Sequence, residues 1–269
     1  MSTAREAADA LARLRATAPL VHNITNYVVM NTTANALLAI GASPIMAHAV
    51  EEMEDLAGIA GALVLNIGTL CAPWIDAMFV AGRRARMRGI PIVIDPVGSG
   101  ASRLRTETAR RLVGELGPAI VRGNASEVRS LLDGGEGARG VDSRHTPDEV
   151  AEQAGALARR AGCVVSVSGP VDLIVGDGRT ARVGNGDPMM TRVTGMGCTS
   201  TAINGAFAAL GGNPFDAAVY AMLAMGVAGQ LAAARAVGPG SFQVNFLDAL
   251  AVLDEAALRE LAAVEISPQ

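Results

Sequence analysis

Pro91-Ile92-Val93-Ile94-Asp95-Pro96-Val97-Gly98-Ser99-Gly100 is the stretch on which the fold turns. Its β-branched run is too short for a helix and fits a buried strand, which Asp95, a proline and two glycines end abruptly. Working outward, similar short apolar runs recur at 43–46, 63–67, 119–121 and 164–167. Helical patterns lie between most of them, at 51–59, 73–88, 106–116, 126–132 and 147–160, after two earlier helices at 4–15 and 28–40. Pro19 ends the first of these, and Gly41 closes the second. Strand, helix, strand in this rhythm specifies an α/β fold with a mostly parallel central sheet and helices on both faces. Segments 171–175 and 180–183, joined by Gly176-Asp177-Gly178-Arg179, read as an antiparallel hairpin at or near one edge, with only helix expected beyond it. The glycine-rich stretch 134–140 reads as a surface loop, because βα rhythm continues past it, so the chain is expected to be one domain over 1–269.

Composition narrows the partners. The chain has 269 residues, half of them hydrophobic but only 3% aromatic, so its core rests on Ala, Val, Leu, Ile and Met. The net charge is −4 and the arginines are scattered, which argues against nucleic acid or an anionic membrane and for a small molecule. The apolar run 217–234 contains Gly226 and Gln230 and reads as a buried helix, while 1–16 lacks the apolar core of a secretory signal. Cys71, Cys163 and Cys198 are widely spaced, as expected of a reduced, cytoplasmic protein without a zinc site, and Cys71 and Cys163 read as small buried hydrophobes. There is no lysine at all, so phosphate charge must be met by arginine, backbone or metal.

In open parallel sheets ligands bind beyond the carboxyl ends of the strands, and those positions here carry the informative residues. Asp95 either holds a magnesium ion against a phosphate or caps the following loop. Arg122, directly after an apolar run, either grips phosphate or forms a structural ion pair. In Arg122-Gly123-Asn124-Ala125-Ser126-Glu127, Asn124 and Glu127 have capping-box spacing, and Glu127 can combine that role with a metal-bound water. Ser168-Gly169 follows the 164–167 strand. Thr194-Gly195-Met196-Gly197-Cys198 is a glycine-bracketed turn opening a small-residue helix, suited to an anion, with a thiol biased toward thiolate by the helix start. A cysteine-protease reading of Cys198 would need one of His22, His48 or His145 beside it. His22-Asn23-Ile24-Thr25-Asn26, read as a polar cluster beside a helix start, together with Met46, suggests the lining of a small-molecule pocket. Met189-Met190 reads chiefly as packing.

Taken in order, the segments 19–26, 95–98, 122–127 and 194–198 resemble the hydroxyethylthiazole kinase family, a branch of the ribokinase-like superfamily, over nearly the whole chain. The resemblance implies a single-domain, three-layer sandwich that transfers the ATP γ-phosphoryl group to 5-(2-hydroxyethyl)-4-methylthiazole, with Mg²⁺. It implies an anion hole from Gly195 to Cys198, and Cys198 where the superfamily's sugar kinases carry an aspartate base. It further implies Asp95 and Glu127 at the metal, Arg122 and Ser168 at the nucleotide phosphates, and Asn26, Met46 and Gly195 at the thiazole. Ser168 replaces a more common threonine and keeps the hydroxyl. A homotrimer with thiazole sites between subunits is implied as well. The alternatives are a kinase for a hydroxymethylpyrimidine or pyridoxine-like alcohol, a ribokinase-like lyase that repairs nicotinamide nucleotide hydrates, and a nucleotide-binding regulatory module.

Overall fold

The computed structural model describes residues 2–132 and 147–268. The glycine-rich segment 134–140 and His145 lie outside the described residues. Elements run in the order α1 (Ser2–Thr17), β1 (Leu20–Ile24), α2 (Met30–Ile40), β2 (Ser43–Ile45), α3 (Met53–Ile59), β3 (Ala62–Asn66), α4 (Ala72–Arg88), β4 (Ile92–Asp95) and α5 (Arg103–Leu116). They continue through β5 (Ile120–Asn124), α6 (Ala125–Leu132), α7 (Pro147–Ala161), β6 (Val164–Ser168), β7 (Asp172–Gly176), β8 (Arg179–Val183), α8 (Met196–Ala208), α9 (Pro214–Ala233), α10 (Pro239–Val252), α11 (Glu255–Leu261) and β9 (Val264–Pro268).

One sheet of nine strands, ordered β2-β1-β3-β4-β5-β6-β7-β8-β9, runs through the molecule. The pairings from β2 through β6 are parallel, and those of β7, β8 and β9 are antiparallel. Alternation along the strands divides the core in two. Val21, Val64, Val93, Ile120 and Val164 point toward the cluster formed with α1, α2 and α8 to α11. Ile24, Leu65, Ile94, Val121 and Val165 point toward α3 to α7. The result is the expected three-layer α/β/α arrangement. Aromatic side chains are few, and all five phenylalanines are buried, four of them with α8 to α10. Each contributes about 2 kcal/mol by its removal from water.

Local sequence explains the helix ends. Gly41 is left-handed at φ +105°, and its N–H reaches the carbonyls of Leu37 and Leu38. The Asn213 side chain accepts from Phe215 N–H and starts α9. That helix is long and apolar enough to cross a bilayer, but it is packed between the sheet and its neighbours as a core helix.

Three expectations need correction. Leu20–Ile24 is not merely a polar cluster before a helix but β1, a strand paired on both sides. His22 and Asn23 interrupt its apolar pattern, which hid it. The chain does not stay helical after the hairpin: Val264–Pro268 adds β9 to the free side of β8, so the hairpin lies near the edge, one strand in. Mixed residues such as Glu265 and Ser267 give no apolar run, and the strand exists because β8 offers unpaired backbone groups. Cys71 is exposed at the start of α4 rather than buried, whereas Cys163 is buried and burial pushes its thiol up to about 12.

Candidate active site

Strand order reverses at β1, since β2 lies on one side of it and β3 on the other, which opens a crevice at the carboxyl ends of β1 and β3. Asn26 follows β1 and Asn66 ends β3. Parity then aligns a row of polar side chains with α8. Asn66 shares a face with Val64, Asp95 with Val93 and Arg122 with Ile120, and all three valine or isoleucine residues belong to the α8 cluster. Asn66 and Asp95 are Cα partners in adjacent strands, and Arg122 stands opposite Ser166. The sheet therefore brings an amide, a carboxylate and a guanidinium under the first turns of one helix.

That helix starts as the sequence suggests. Gly195 is left-handed at φ +85°, and a β-carbon there would come within 2.6 Å of Val29 Cγ1. A β-carbon at Gly197 would sit 2.8 Å from Arg122 Nη1. The helical ladder begins with Thr199 N–H donating to Gly195 O, leaving the N–H groups of Met196, Gly197 and Cys198 without an intrahelical acceptor. The positive end of the helix dipole therefore lies beside the strand-end row, where Gly197 abuts Arg122 and Thr201 reaches Asp95.

Hydrogen bonds connect the site. Asn26 Nδ2 donates to Asn66 Oδ1 at 2.8 Å and approaches Cys198 Sγ at 3.6 Å. Asn66 Nδ2 donates to Asp95 Oδ2 at 2.9 Å, and Thr201 Oγ1 donates to the same oxygen at 2.8 Å. Arg122 is buried, and among the described residues its Nε has no hydrogen-bond partner. The two capping interactions of Glu127 both form: Asn124 N–H donates to Oε2, while Asn124 Oδ1 accepts from Glu127 N–H. Oε1 accepts from Gly98 N–H, tying the loop after β4 to the helix after β5. Ser168 ends β6 with its hydroxyl 3.5 Å from Gly123 O. Met46, just past β2, stands apart from this network, half-buried against the helical core, and Met189 and Met190 likewise pack on that core.

Burial sets the protonation states. Asp95 is raised to about 7, by desolvation first and by Glu127, while Arg122 and the donors Thr201 and Asn66 act the other way. Cys198 is pushed up to about 11, by burial and then by Asp95, against the opposing influence of Asn66, Asn26 and Arg122. Burial and Asp95 thus work against the thiolate bias that a helix start gives. His22 Nε2 lies 3.1 Å from Ala47 O, and His48 packs edge-on against Trp74 at 4.5 Å, so both rings are engaged elsewhere.

Asn66 and Thr201 were missed from sequence. An amide closing an apolar run was a signal for Asn66, which was read as strand interior. Thr201 sits four residues after Gly197, on the same side of α8, a relation visible only once that face is known. Among the described residues no group of three or more His, Cys, Asp and Glu side chains is placed to hold a metal.

Comparison with known proteins agrees with this geometry. The model of the hydroxyethylthiazole kinase family matches residues 11–256. The chain is 56% identical to the hydroxyethylthiazole kinase of Nitratidesulfovibrio vulgaris over 246 residues, covering 91% of this chain and 92% of that one. It is 54% identical to the enzyme of that name from Granulibacter bethesdensis over 252 residues, covering 94% and 92%. A solved hydroxyethylthiazole kinase structure from Pyrococcus horikoshii superposes with a TM-score of 0.90 at 42% identity, covering 97% of this chain and 99% of that one. The pyridoxal kinase of Staphylococcus aureus, at 16% identity and a TM-score of 0.64 with 93% and 98% coverage, shares the ribokinase-like fold. The chain belongs to the hydroxyethylthiazole kinase family.

Proposed function

We propose that the protein transfers the γ-phosphoryl group of ATP to the primary hydroxyl of 5-(2-hydroxyethyl)-4-methylthiazole in thiamine salvage. The observation that carries this reading is the start of α8, with free N–H groups and a left-handed glycine, facing Arg122 and Asp95 without any lysine in the chain. Phosphoryl transfer demands alignment and charge stabilisation more than a strong base.

The hydroxyl oxygen forms the new bond to the γ-phosphorus as the bond to the β–γ bridging oxygen breaks, and ADP leaves. The N–H groups of Met196, Gly197 and Cys198 receive charge on the equatorial oxygens. Arg122 and Ser168 hold nucleotide phosphates, and Asn26, Met46 and Gly195 border the acceptor. Burial keeps Cys198 largely in the thiol form at neutral pH, so the base is its small thiolate fraction. That thiolate accepts the hydroxyl's hydrogen bond, aims the oxygen, and becomes the thiol as the new bond closes.

Asp95 and Glu127 suit Mg²⁺, a hard cation that uses one or two carboxylates and completes its shell with waters and phosphates. Both protein donors to Asp95 fall on Oδ2, leaving Oδ1 for another partner, and each Glu127 oxygen accepts one backbone N–H. Bound there, the ion would neutralise phosphate charge and orient the transferred group. We also assign one kinase domain over 1–269, a cytoplasmic location and a homotrimer with acceptor sites between subunits, on family likeness.

Incubating the purified protein with Mg-ATP and a panel of thiazole, pyrimidine and pyridine alcohols, then identifying products by mass, tests this reading. The thiazole monophosphate is expected as the main product. Phosphorylation of the pyrimidine or pyridine alcohols alone would replace the substrate assignment.

A further inference from the structure

Asn66 sits at the centre of the buried network, 1% exposed, and touches both halves of the site. Its carbonyl oxygen accepts from Asn26 Nδ2 at 2.8 Å and from Gly68 N–H at 3.0 Å, while its Nδ2 donates to Asp95 Oδ2 at 2.9 Å. Asn26 is fixed at its other end by Val28 N–H, which donates to Asn26 Oδ1 at 3.1 Å. With that oxygen held, the Asn26 NH₂ group is left facing Asn66 and Cys198 Sγ. Two hydrogens thus serve two acceptors, and the amide cannot flip without losing its bond to Val28.

From this arrangement we infer that Asn66 is a positioning residue for the reaction: it locks the Asn26 amide against the Cys198 sulfur and fixes both relative to the Asp95 carboxylate. Only an amide offers, at this size, an acceptor toward β1 and a donor toward β4. Aspartate keeps the acceptor but opposes Asp95, and leucine removes both. Thr201 completes the clamp from α8 by holding Asp95 Oδ2 at 2.8 Å. The acceptor side of the crevice and the phosphate side are thereby set to one distance by a single side chain. The inference rests on the phosphoryl-transfer reading for the meaning of the two sides.

The test compares wild type with Asn66→Asp and Asn66→Leu, in the full chain, by steady-state kinetics and by alkylation with iodoacetamide followed by peptide mass analysis. Exposed Cys71 serves as the internal standard for Cys198 in each sample. In folded variants kcat is expected to fall about 100-fold, the scale of a misplacement of about 1 Å, with KM for ATP changed less than about threefold. Alkylation of Cys198 relative to Cys71 is expected to slow at least about threefold, in Asn66→Leu because the Asn26 amide loses its anchor beside the sulfur and in Asn66→Asp because a further buried carboxylate opposes the thiolate. Kinetics within about threefold of wild type, or a kcat loss matching the unfolded fraction with an unchanged Cys198:Cys71 ratio, would overturn the role. If wild type itself makes no phosphorylated thiazole the functional reading fails, whereas the thiol ratio still decides whether Asn66 orders the Cys198 site.

Discussion

The guanidinium of Arg122 lies against the bare α-carbon of Gly197, so that a β-carbon there would stand 2.8 Å from Nη1. Helix and strand touch at this point because residue 197 has no side chain. The same contact places a buried cation beside the free N–H groups of α8, which is what an anion site between strand and helix requires.

Gly197→Val is therefore expected to displace Arg122 and reduce kcat/KM by about 100-fold or more, the range seen when a preorganised donor is lost. Gly195→Val adds backbone strain at φ +85° to a collision with Val29, and is expected to lower the melting temperature as well. Steady-state kinetics with calorimetry separates the two. Full activity in either variant would contradict the anion-hole assignment.

Arg122→Ala is expected to raise KM for ATP at least about tenfold, and Arg122→Lys is expected not to restore it. A lysine cannot present a planar fork, and Arg122 Nε is buried with no partner among the described residues. Nucleotide titration by calorimetry checks both variants, and a lysine variant with wild-type affinity would refute the bidentate role.

Cys198→Ser and Cys198→Ala are expected to slow turnover by about 10- to 100-fold without abolishing it, since a general base contributes about 100-fold or more and this thiol is a weak one. Cys198→Asp is expected to keep activity with its rate–pH profile moved to lower pH, because a carboxyl, even one raised by the neighbouring Asp95, loses its proton well below the thiol's value of about 11. Rate against pH measures both effects, and an unchanged rate in the alanine variant would remove Cys198 from the reaction.

Burial raises Asp95 to about 7 and Asp172 to about 6. Both carboxyls hold their protons more tightly in the native state than in the unfolded chain, where the reference value is 3.8. Their favourable contribution is thus complete below about pH 4 and is lost as the pH rises through about 6 and 7. Without metal, Asp95→Asn is expected to raise the melting temperature at pH 8 by a few degrees, at about 3 °C per kcal/mol, and to leave it unchanged at pH 4. Calorimetry at the two pH values decides, and a variant less stable at pH 8 would reverse the sign argued here.

How much was legible before the structure varied with the physics of each part. The β-branched runs around Ile94, Val121 and Val165 spelled out the buried parallel strands, because a strand covered on both faces must be apolar throughout. Strand ends ran the same way: Asp95, Arg122 and Ser168 stood out as polar residues directly after such runs. The edges did not read, since β9 depends on backbone pairing rather than on its side chains, and β1 hides behind His22 and Asn23. Asn66 showed only as an amide closing an apolar run, because its importance lies in register with Asp95, a property of two strands together. The protonation of Cys198 stayed open in the sequence for a similar reason. A helix start is visible in sequence, while burial beside Asp95 is not.

The central claim is phosphoryl transfer to the hydroxyethyl oxygen, and a ³¹P NMR time course of the purified protein with Mg-ATP and 5-(2-hydroxyethyl)-4-methylthiazole tests it most directly. The γ-phosphate signal should fall as a phosphate-monoester signal rises in equal amount, with ADP formed in step. Loss of the γ signal to inorganic phosphate alone, or no change beside an active reference kinase, would contradict it.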